Sequence, residues 1–142
     1  MSTPFELTLT RTIPAPRETV FDAWLDPAAL TEFIRPMEAM TVPTVEVDAR
    51  VGGEFLIVMK AGDEEMPHKG EYRTIDRYDR LAFTWISPAT IPGSLVTIDF
   101  RAIDPATTEL TLHHVGFPDQ TMCDNHKNGW TGIVDALQSQ LS

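Results

Sequence analysis

Residues 119–141, DQTMCDNHKNGWTGIVDALQSQL, decide the fold. Met122, His126, Trp130, Ile133, Val134, Leu137 and Leu141 recur at helical spacing and fall on one apolar stripe. Asp119 stands where a helix needs an N-cap. A helix from about residue 120 to 141 is about 33 Å long at 1.5 Å per residue, enough to cross a whole sheet.

In front of that helix the period changes. Residues 5–13, FELTLTRTI, alternate apolar and polar side chains and read as a half-buried strand, stopped by Pro14 and Pro16. From Arg17, the residues Val20, Phe21, Trp24 and Leu25 stand at helical spacing. Asp26-Pro27 breaks this helix and starts a second short one with Leu30, Phe33 and Ile34, which Pro36 ends. Strands are then expected over residues 42–47, 54–60, 70–78, 81–86, 95–103 and 108–115. Turns at Gly52-Gly53, Gly62-Asp63, Asp79-Arg80 and Asp104-Pro105 separate them. Strands joined by such short connections form an antiparallel meander. Its apolar face needs a cover, and the last helix is the only element large enough. The expectation is one α+β domain over residues 1–142, a curved antiparallel sheet wrapped round the C-terminal helix with an apolar cavity between them.

Composition bounds the partners. The 21 acidic and 11 basic side chains give a formal net charge of −10, with no Lys/Arg cluster to override it. That argues against nucleic acid and against anionic membrane surfaces. The longest apolar run, Phe55 to Met59, is too short to span a bilayer. The lone Cys123 permits no internal disulfide. Met1 to Thr10 carries no basic-then-apolar leader, so a cytoplasmic location is expected.

Five stretches taken together resemble a known family: IPAPRETVFDAWLDP (13–27), VDARVGGEF (47–55), HKGEYRTIDRYDRLAFTW (68–85), TELTLHHVGFPD (108–119) and HKNGWTGIVDAL (126–137). In that order they resemble the heat-shock protein 90 ATPase activator homologues of the SRPBCC superfamily, relatives of START lipid-transfer domains and the birch-pollen-allergen fold. The resemblance implies a helix-grip fold with its cavity between sheet and long helix, and a histidine at the position of His114. Family members commonly carry an aromatic pair and Gly-Pro after the second helix. Here Glu32-Phe33-Ile34-Arg35-Pro36 stands instead, which implies a different cavity mouth. In the activator that names the family, an additional N-terminal domain contributes to the chaperone contact. This chain opens directly on the helix-grip domain, so the activity is not expected to carry over.

The alternation places Phe83 and Trp85 on one sheet face, with Ile98, Phe100 and Leu112 opposite Trp130 of the helix. These residues are the expected cavity lining; the plainer reading makes Trp130 a core side chain. Gly129 either leaves room for a ligand or lets the helix approach a strand. His114 and His126 either give the pocket a polar end or are each satisfied by a backbone group. Cys123, His126 and His114 lack the paired spacing of a zinc site, and no metal or cofactor is expected. Glu46, Glu54, Glu71 and Arg73 suggest cross-strand ion pairs on the wet face. Met37, Met40, Met59, Met66 and Met122 supply either a soft pocket lining or core filling. No nucleophile, zincin, P-loop or dinucleotide motif is present, so no catalytic residues are assigned. The leading expectation is a binding module for a hydrophobic or aromatic small molecule. A chaperone-associated protein and a cyclase- or hydrolase-type enzyme are the alternatives.

Overall fold

The computed structural model describes residues 5–34, 40–86, 94–117 and 119–141. In chain order the elements are β1 (Phe5–Ile13), α1 (Arg17–Ala23), α2 (Pro27–Phe33), β2 (Thr41–Val47), β3 (Glu54–Ala61), β4 (Glu64–Asp76), β5 (Arg80–Thr84), β6 (Leu95–Asp104), β7 (Thr107–Phe117) and α3 (Gln120–Gln140). This is the order the periodicity implies. Arg35, Pro36 and Met37, on which the altered mouth and the end of the second helix turn, lie outside the described residues.

The strands form one seven-stranded sheet in the order β1-β7-β6-β5-β4-β3-β2, antiparallel throughout. The meander runs from β2 to β7, and β1 closes against β7. The register aligns the apolar alternations: Phe83 faces Val96, which faces His114, while Leu81 faces Ile98, which faces Leu112. All six side chains are buried. A strand's period of two puts every second residue on this inner face, and a one-residue slip would expose them all.

Asp119 caps α3 by accepting from the Met122 amide at 2.8 Å. The helix buries Cys123, Trp130, Ile133, Val134 and Leu137. Near its far end, Gln138 donates to the Thr12 carbonyl at 2.8 Å, and Asp135 pairs with Arg11 of β1. Asp26 caps α2 through the Ala28 amide at 3.0 Å.

Two features depart from the sequence reading. β4 begins at Glu64, well before Gly70, because residues 64–69 (EEMPHK) look like a polar connection. They pair with β3 from Ala61–Glu64 to Leu56–Lys69. The ladder to β5 starts at Tyr72, preceded by a bridge between Lys69 and Ile86; among the described residues Pro67 has a ladder partner on the β3 side alone, so its missing N–H is tolerated. At Gly70 a Cβ would stand 1.9 Å from the Thr84 carbonyl oxygen. The second departure concerns charge. Glu71 pairs with Arg73 along its own strand at 3.1 Å and faces Glu54 across the ladder. Arg80–Asp99 and Arg101–Glu109 pair across strands instead, at 2.7 and 3.1 Å.

Candidate functional site

The interior is dense in rings, and a small void of about 10 Å³ remains among them. Trp24, the C-cap of α1, lines it with Leu30 of α2 and Ile34 just after that helix. The sheet side is Phe55 and Ile57 of β3, Tyr72 of β4 and Phe83 of β5, with Trp85 beyond. The space holds one water at most, whereas pockets for small molecules run to about 300–1,000 Å³. Around it, Trp24 packs edge-on against Phe33 at 5.0 Å, and Phe55 against Phe83 at 5.4 Å. Trp24 is only 3% exposed, and its indole N–H has no hydrogen-bond partner among the described residues.

Beside the void runs a closed polar chain. Trp130 donates its indole N–H to Nδ1 of His114 at 3.0 Å. The proton of the neutral imidazole therefore sits on Nε2 and points to Ser94 Oγ, 2.7 Å away. Ser94 passes its own hydrogen to the Trp85 carbonyl at 2.8 Å. Only this arrangement gives every hydrogen an acceptor. His114 is fully buried, and burial, with the charges of His126 and His113, pushes its pKa down to about 3. His126 donates from Nδ1 to the Met122 carbonyl at 2.9 Å, and its ring lies 5.5 Å from that of His114. Burial lowers its pKa as well. His68, whose ring is 4.9 Å from Trp85, is held down to about 4 by burial.

This chain suits positioning rather than acyl transfer. A serine nucleophile needs a base to take its proton. Here that proton goes to a carbonyl, and the lone pair of His114 is filled by Trp130. Among the described residues, no group of three or more His, Cys, Asp or Glu side chains is arranged to hold a metal ion. No helix among them is long and apolar enough to cross a membrane.

A larger concavity of about 920 Å³ lies open to solvent along β2, β3 and β4, lined by Glu46, Asp48, Arg50, Glu54, Lys69 and Arg73 among others. Its charges pair locally, Arg50 with Asp48 and Arg73 with Glu71. Such mixed, solvated walls lack the apolar enclosure that defines a small-molecule site.

Of the residues expected to line a cavity, Phe83 and Trp85 border the void. Ile98, Phe100, Leu112, His114 and Trp130 are buried in the packing around it, while His126 and Gly129 are half-buried. The void lies under α2, on the β3–β5 side, rather than directly beneath α3. Trp130 reaches towards it through Trp85 at 4.9 Å and Trp24 at 6.3 Å. Trp24, Ser94 and His68 are the residues that sequence reasoning passed over. Trp24 sits on an apolar helical stripe that gives no hint of an unpaired N–H, and Ser94 and His68 belong to no motif.

An antiparallel sheet gripping a C-terminal helix, with two short helices after the first strand, is a helix-grip fold consistent with the SRPBCC superfamily. The chain belongs to the activator of Hsp90 ATPase homolog 1-like protein family, whose sequence model matches residues 14–142. A crystal structure of a Chromobacterium violaceum protein is 26% identical, with a TM-score of 0.86 over 97% of this chain and 98% of its own. An AHSA1 protein of Silicibacter pomeroyi is 25% identical, with a TM-score of 0.81 and 96% of each chain covered. A protein described as an HSP90 activator from Plasmodium falciparum is 22% identical and shares the fold, with a TM-score of 0.75 and 96% of each chain covered. No curated protein sequence matches the chain.

Proposed function

We propose that this domain binds one small apolar or aromatic molecule in its interior, admitted by outward displacement of α2. The observation that carries the reading is the void between α2 and the sheet, ringed by aromatic side chains and bordered by an unpaired indole N–H. The seven-residue α2 is too short to be stable alone. It is held by the burial of Leu30, Phe33 and the following Ile34, and no ion pair among the described residues involves it. Elements of this kind open at low cost. The ligand then selects an open form that the free protein visits rarely. Phe83 and Trp85 form the wall of the opened site with Trp130. Ile98, Phe100, Leu112 and His114 back that wall, and His126 and Gly129 flank it on α3.

The family name supports a chaperone partner, but no set of surface residues among those described favours it. Native mass spectrometry of the protein purified from its own cells tests the reading. A copurified small molecule supports it. Protein recovered only as the bare chain or with a chaperone, together with no tryptophan quenching by a broad apolar panel, defeats it.

A further inference from the structure

Resting on that binding reading, we infer that the ligand is an uncharged aromatic molecule carrying a hydrogen-bond acceptor, and that Trp24 is the residue that selects it. Trp24 lines the void with an indole N–H that is buried and, among the described residues, without a hydrogen-bond partner in the closed form. Trp130, by contrast, spends its N–H on His114. A buried donor left unpaired is costly, and most native donors avoid it. A water is a poor remedy here. The void is at the lower limit for one, and a buried water needs two to four polar partners. Among the described residues, the lining's polar side-chain atoms are those of the Trp24 and Trp85 indoles and the Tyr72 phenol, and the indoles can only donate; its remaining side chains are hydrocarbon. An acceptor brought in by a ligand meets the need directly.

The same lining sets the charge. Among the described residues, no Lys, Arg, Asp or Glu borders the void. The neighbouring His68 and His114 stay neutral at physiological pH, their pKa values held near 4 and 3 by burial. An ionised ligand would therefore be buried without a counter-charge, which is strongly disfavoured. A carbonyl or ether oxygen on an aromatic frame satisfies both conditions.

The test uses two probes of one shape, 2-acetylnaphthalene and 2-ethylnaphthalene, titrated into wild-type protein and Trp24→Phe. The ratio of the two affinities cancels shared apolar contacts. It is expected to move against the ketone by about tenfold in Trp24→Phe, the effect of one hydrogen bond. In wild-type protein, the ketone alone is expected to shift the Trp24 indole N–H proton resonance downfield, a readout that does not depend on the variant folding. A saturable binding of both probes with an unchanged ratio and no such shift overturns this inference and leaves the binding reading intact. Failure of both probes to bind overturns the two together.

Discussion

Trp130 Nε1–H donates to His114 Nδ1 at 3.0 Å, and this bond fixes both the tautomer of a fully buried imidazole and the orientation of the bulkiest fully buried side chain. The bond ties α3 to β7 across the middle of the core, next to the aromatic wall of the candidate site.

Trp130→Phe leaves His114 Nδ1 without its donor and shortens the ring. The expected cost is on the order of 2–4 kcal/mol, combining an unpaired buried acceptor with lost packing. Urea unfolding at pH 7.5 measures it, read as a lowered midpoint with an unchanged slope. A variant as stable as the wild type would show that the bond contributes nothing.

Stability falls as pH drops below about 6.5, the ordinary histidine value. Unfolded imidazoles take up protons there, whereas folded His68 and His114 resist until about 4 and 3. Between those limits the unfolded chain binds more protons, so stability rises with pH. At pH 5 the His114 share alone is about 2 kcal/mol. His126, also lowered, acts in the same direction. Urea titrations between pH 7.5 and 5 for wild type and His114→Gln check this. The variant should lose a clear part of the slope, and identical pH profiles would refute the assignment.

Much of this architecture was legible in the sequence, for physical reasons. The α3 stripe and the alternations of β1, β6 and β7 are long, regular and bounded by Pro, Gly or Asp. Residues 64–69 were not legible, because they carry no apolar alternation and hold Pro67, which a strand accepts where no ladder partner needs its N–H. The site was legible only in part. Ring-bearing positions such as Phe83 and Trp85 follow from strand parity. Which N–H lacks a partner follows from three-dimensional packing, so Trp24 looks like any core residue. The Ser94–His114 contact joins positions with no local signature.

Gly70→Ala tests the close approach of β4 to Thr84 and to the Phe55 ring that lines the site. The new Cβ would meet the Thr84 carbonyl at 1.9 Å and the Phe55 ring at 2.7 Å, so the backbone itself must shift. The expected loss is on the order of 3 kcal/mol. A melting temperature equal to that of the wild type would contradict the geometry.

Asp26→Ala removes the α2 cap that holds the Ala28 amide at 3.0 Å. The expected cost is about 1 kcal/mol. Amides of Leu30 and Ile34, which bond to the Asp26 and Leu30 carbonyls, should exchange with solvent several-fold faster. If α2 is the element that opens, probe association quickens in the same variant. Faster exchange without faster association would separate the helix from the route of entry.

The most direct measurement of the central claim is a series of amide correlation spectra of the wild-type protein during titration with 2-acetylnaphthalene. Binding under α2 predicts saturable shifts at Leu30, Ile34, Ile57, Tyr72 and Phe83, with Glu46, Glu54, Lys69 and Arg73 of the outer groove unmoved. Shifts confined to that groove, or none that saturate, would contradict it.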